Sequence, residues 1–188
     1  MKKVFRYNGK DTTVQLAETL KQLAGDNPVY FCVGSDLALG DSLGPKIGTR
    51  LKERSNSALV VYGMEGYTIN AKNVQTAYKA VRRLHPNSKV IVIDASVDNR
   101  KGTIRVKTGG IRPGSGCGKN LGKIGNYGIM CSTGIRGRLA VEEVDFMMSS
   151  CDHDSIFFQE PTARLKRYQT FINTAADTIA DAILLASA

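Results

Sequence analysis

The sequence is poor in the side chains from which metal centres are built. It holds two histidines and four cysteines in 188 residues. Cys32, Cys117, Cys131 and Cys151 show no CxxC spacing and no histidine at a ligand's distance along the chain, so a zinc cage is not expected. His85 stands beside Pro86 at a helix end, and His153 lies between Asp152 and Asp154 in what reads as a solvated turn. Neither has ligand spacing, and no metal or cofactor is expected. Long apolar runs are missing as well. Nothing approaches the roughly 20 residues of a membrane span, and the apolar end DAILLASA is short. The opening MKKVFRYNGK has no apolar stretch behind its lysines and does not read as a secretory signal. Two cysteines sit in apolar runs, where a reduced thiol behaves as a small hydrophobe, so a reducing compartment, the cytoplasm, is expected. Acid is the scarcer charge: 17 Asp and Glu against 26 Lys and Arg leave a net +9. Such an excess can attract an anionic partner. Here the cations are scattered from 50–54 through 164–167 without interleaved aromatics, which favours solvated faces over a nucleic-acid groove.

What is present is the pattern of a globular domain, expected to be one unit over 1–188 with a mobile segment at 1–11. TTVQLAETLKQLA (12–24) places Val14, Leu16, Leu20 and Leu23 near one face, with Thr13 as its cap. VYFCV (29–33) reads as a buried strand, LGPKIGTRLKER (43–54) as a helix with Pro45 in its first turn, and ALVVYG (58–63) as a second strand. A helix over 70–85 precedes a third strand, SKVIVIDAS (88–96), so apolar that both its faces must be covered. GTIRVKT (102–108) and NYGIMCS (126–132) add strands, LAVEEVDFMM (139–148) leans helical, and 163–185 forms a long C-terminal helix. Helices alternating with apolar strands imply an α/β fold: a doubly wound, mostly parallel sheet in three layers.

Such sheets bind ligands beyond the carboxyl ends of their strands, where strand order reverses. With the order 2-1-3, the loop leaving the first strand, GSDLALGDSLGP (34–45), meets the end of the third, VIVID (90–94). Asp41 and Asp94 then arrive at one crevice. Close carboxylates resist double ionisation, so one holds a proton and can act as an acid while the other activates water. Gly40 and Gly44 would let a ligand approach the backbone, and the amides of the following helix would steady an oxyanion. The plain alternative is an Asp41 that caps the helix and an Asp94 that bonds a loop.

GSDLALGDSLGP, VIVIDAS and IRPGSGCG, in that order, resemble three motifs of the germination protease family, the endopeptidases that degrade small acid-soluble spore proteins. Chain length and the SD-x3-GDSLGP form resemble the YyaC-type sporulation proteins, shorter relatives of that protease. The resemblance implies a spore-protease type fold and a catalytic pair at Asp41 and Asp94. It also implies a substrate-binding set of Gly34, Ser35, Asp36, Gly40, Ser42, Gly114, Ser115 and Gly116, the last three in the PGSG loop. It implies a protein or peptide substrate such as the small acid-soluble spore proteins, a homo-oligomer, and a place in the forespore or spore core. The chain departs from the protease in its shorter length, in Gly40 where the protease has proline, and in SVDNR after Ala95. A similar GN-x4-DEG motif marks the hydrogenase maturation proteases, but their metal-binding glutamate falls on Ser42, a poor ligand.

Two function classes follow: an aspartate-dependent peptidase, or a catalytically silent sporulation protein that binds acidic proteins or DNA–protein complexes. A nucleic-acid binder driven by the +9 charge is a third, less favoured reading. Cys117, near Lys119 and Lys123, is a rival nucleophile without an evident base, and GSGCGK does not satisfy the phosphate-loop pattern.

Overall fold

In the computed structural model, which describes residues 1–98, 100–113, 121–135 and 163–188, the apolar runs become the middle of one sheet. Its six strands are β1 (Lys2–Arg6), β2 (Val29–Cys32), β3 (Val60–Tyr62), β4 (Val90–Asp98), β5 (Thr103–Thr108) and β6 (Tyr127–Ile135). They lie in the order β1-β5-β6-β4-β2-β3. β3, β2, β4 and β6 run parallel, whereas β5 is antiparallel to both β6 and β1. The β3-β2-β4 portion is the 2-1-3 order expected from the sequence, and the antiparallel edge makes the sheet mixed.

Strand alternation divides the core in two. Tyr30, Cys32, Ile91, Ile93, Ile129 and Cys131 point to one face, covered by α1 (Thr12–Ala24), α2 (Leu43–Arg54) and α4 (Ala163–Ser187). Val29, Phe31, Val90 and Val92 point to the other, covered by α3 (Val74–Leu84) and by Ile111 and Ile124. The result is the three-layer α/β arrangement.

The differences from the sequence reading have local causes. Residues 2–6, expected to be loose, pair with β5 from Lys2↔Lys107 to Arg6↔Thr103. Thr13 does not cap α1. Asp11 precedes the helix without a side-chain cap, and Thr12 Oγ1 instead donates to the Arg6 carbonyl at 2.6 Å. Val14 faces outward, 51% exposed. The third helix starts at Val74 because residues 70–73 form a turn, in which the Asn70 amide donates to Asn73 Oδ1 at 2.8 Å. β4 continues past Asp94 to Asp98 because β6 runs beside it that far, with a bulge after Ser96. The helix expected over 139–148 lies outside the described residues. α4 buries Leu165, Tyr168, Ile172, Ala176, Ile179 and Ile183 against the chain's own core. None of the described helices is long and apolar enough to cross a membrane.

Candidate active site

The site begins with how closely α2 lies on the sheet. A Cβ on Gly44 would overlap the Val33 carbonyl oxygen, and one on Gly48 would overlap that of Gly63. Gly63, with φ of 85°, is itself pressed on the Cys32 carbonyl. Backbone therefore meets backbone along one side of α2, and the helix start is pinned over the end of β2. The glycine expected to admit a ligand at position 44 admits the strand instead.

The loop 34–42 folds on itself at this point. Gly34 has no room for a Cβ beneath the Asp41 carbonyl, which also accepts from the Ser35 amide at 3.2 Å. The Asp41 and Ser42 amides donate to Ala38, at 3.0 and 2.9 Å. Ser42, the residue before α2, is buried and donates through Oγ to the Leu39 carbonyl at 2.7 Å. Ser35 Oγ accepts from the Leu37 amide, and Asp36 Oδ2 from the Gly66 amide at 3.0 Å, which ties the loop to the turn after β3. Gly34, Ser35, Asp36 and Ser42 thus shape the loop, and Gly40 is buried within it. The helix cap position belongs to Ser42, so Asp41 is not the cap.

Asp94 is reached from the other side. Cys32 pairs with Ile93 and the Val33 amide donates to the Ile93 carbonyl at 2.7 Å, so Asp94 stands just beyond the end of β2. It shares the α3 face with Val90 and Val92 and is only 7% exposed. Burial, and after it the charge of Asp41, raises its carboxyl well above the ordinary carboxylate range; a hydrogen bond from the Ala95 amide pulls the other way. The two aspartates are therefore electrostatic neighbours, and the buried one is biased toward its neutral form. Arg105 lies on the same face two strands away, through Met130, and is engaged by Asp98 and by Ser96 Oγ. A neutral carboxyl beside a second acid can donate a proton while its neighbour accepts one.

The stems of the glycine-rich segment lie on this face. These stems, Ile111 and Ile124, exchange backbone hydrogen bonds at 3.0 and 2.9 Å and are buried over Val92. Gly114, Ser115, Gly116 and Cys117 lie outside the described residues, as do Cys151 and His153. Cys32 and Cys131 are buried; burial raises both thiols, that of Cys131 to about 12, which leaves them unreactive.

Sequence reasoning missed a recess that the loop 34–42 helps to line. A cavity of about 280 Å³ is lined by Asp36, Ser42, the Lys46–Glu65 ion pair, and Asn173 from α4. Neither carboxylate of the pair lines it. Only tertiary packing brings α4 to this loop, and no local pattern could have announced it. Among the described residues no three His, Cys, Asp or Glu side chains gather in a metal-binding group.

With this geometry in hand, likeness to known proteins is informative. The family described as "Protein of unknown function (DUF1256)" matches residues 4–149, which include the second half of β1, all of β2 to β6 and both carboxylates. A Bacillus subtilis (strain 168) protein described as "Uncharacterized protein YyaC" is 34% identical over 116 residues, 61% of this chain and 57% of that protein. The match thus spans little more than half the length of that curated relative.

Proposed function

Because the chain belongs to the family described as "Protein of unknown function (DUF1256)", its chemistry has to be read from its side chains, and we propose that it is a peptidase using Asp41 and Asp94. The observation that carries this reading is the burial of the Asp94 carboxyl under the charge of Asp41. Asp94 enters the reaction protonated. Water attacks the peptide carbonyl carbon and gives a proton to Asp41, while Asp94 protonates the carbonyl oxygen. The tetrahedral diol then collapses: the C–N bond breaks, Asp41 returns its proton to the leaving nitrogen, and a diol hydroxyl reprotonates Asp94. The first turn of α2, pinned beside Asp41, turns the positive end of its dipole toward the developing oxygen charge.

The likeness of GDSLGP, VIVIDAS and PGSG to the germination protease motifs supports a protein substrate of the small acid-soluble spore protein class, within the developing spore. Incubation of the purified chain with those proteins across about pH 5 to 8 tests the reading. New peptides, identified by mass spectrometry, are expected, and Asp41→Asn and Asp94→Asn should each slow their release by about 10²–10⁴-fold. Cleavage that survives both substitutions, or tight binding with no cleavage at all, would falsify it.

A further inference from the structure

The cations that the sequence scatters are gathered by the fold. Lys2 and Lys107 are direct partners in the antiparallel β1–β5 pair, and Arg105 and Arg6 follow on the same face. The next partner inward from Lys107 is Gly128 of β6, where Ile111 of the loop stem rests. The stem pairs Ile111 with Ile124, which sets their neighbours Arg112 and Lys123 across from each other. Lys2, Arg6, Arg112 and Lys123 are exposed. Like charges placed directly opposite each other on a β ladder oppose pairing, so the arrangement carries a cost within the chain alone. Lys107 registers that cost: burial lowers its pKa first, followed by the charges of Lys123, Arg105, Lys2 and Arg112. The charges that lower it, among the described residues, are all positive.

From this juxtaposition we propose that the open face of β1 and β5, with the loop stem beside it, binds the phosphate backbone of duplex nucleic acid. The proposal is independent of the hydrolase reading. Same-face residues recur about every 6.8 Å along a strand, close to the through-space separation of successive phosphates on one nucleic-acid strand, so rows of cations can meet successive phosphates. Among the described residues the cluster contains no aromatic ring to stack on a base. Its contacts are therefore with phosphate, and binding is independent of sequence. An acidic protein segment would match the sign of the charge, and competition by polyglutamate separates it from duplex.

The test is fluorescence anisotropy of the full chain with a random-sequence DNA duplex of about 20 base pairs, between about 50 and 200 mM NaCl. With Arg105 already held by Asp98, the five remaining cations give an expected slope of log affinity on log salt of about −4.5, and Lys107→Gln with Lys123→Gln should reduce its magnitude by about 2. The pair Lys107→Arg with Lys123→Arg should restore the slope, which separates lost charge from lost fold. Lys21→Gln with Lys52→Gln, on α1 and α2, should leave it unchanged. Salt-insensitive binding, equal losses from the α1 and α2 pair, or displacement by polyglutamate as effective as by unlabelled duplex overturns the proposal.

Discussion

Asp94 and Asp177 are both aspartates, yet their surroundings drive them in opposite directions. Asp177 is pushed up by partial burial but held below its ordinary range by Arg50 and Arg54, at 2.7 and 2.6 Å. Its stabilising effect is present above the ordinary carboxylate value and is lost as pH falls through the lowered one. At 40% exposure that effect amounts to less than about 1 kcal/mol. Asp94 has the reverse sign. Its folded pKa is raised, so folding takes up a proton between the unfolded value, about 3.9, and the higher folded one. Stability on its account is greatest below that window, declines as pH rises through it, and is least above. Asp94→Asn removes the group that must be charged at high pH. The variant should therefore melt at or above the wild-type temperature at about pH 8, gain less at about pH 5, and lose hydrolysis at both. A variant that melts lower at the higher pH would show that the carboxyl stabilises the fold in its charged form. The pairing of positions 41 and 94 was legible in the sequence because strand order fixes which loop ends meet. The burial that favours the neutral form of Asp94 was not, since it depends on Met130 beside it and on β6 extending as far as β4 does.

At the scale of elements, α2 shows how position is bought with small residues. Its limits, Leu43–Arg54, were readable from periodicity and Pro45, but the purpose of Gly44 and Gly48 was not. A glycine that admits a ligand and one that admits a strand look alike until the neighbouring carbonyl is known. Gly48→Ala forces a methyl group into the Gly63 carbonyl, which is backbone and cannot rotate away. The expected cost is about 3 kcal/mol, a drop of roughly 6–12 °C in melting temperature, measurable by calorimetry. Because Asp41 stands just before α2, the same substitution should lower the proposed peptide hydrolysis more than the stability loss alone explains. An unchanged melting temperature would mean that α2 is not seated as closely as described. The antiparallel edge was also unreadable. KKVFR has too few apolar residues to declare itself a strand, and it acquires that state only through Thr103–Thr108.

For the whole molecule, one face of the sheet depends on α4. Ile172, Ile179 and Ile183 are fully buried, and each such side chain is worth about 1.5–3 kcal/mol when removed from water. Arg50 and Arg54 of α2 reach Asp177 and Asp181 and fix the angle at which the helix lies. A chain ending at residue 162 should therefore lose cooperative thermal unfolding and bind a hydrophobic dye while keeping some of its secondary structure. A sharp, two-state melt of that chain would contradict the role given to α4. The order of synthesis gives this packing a further meaning. α1 leaves the ribosome well before its partner α4, and β1 waits about 100 residues for β5. A nascent chain stalled after β6 thus carries an unfinished apolar wall that chaperones and quality-control proteases can recognise, and the arrival of α4 hides that wall.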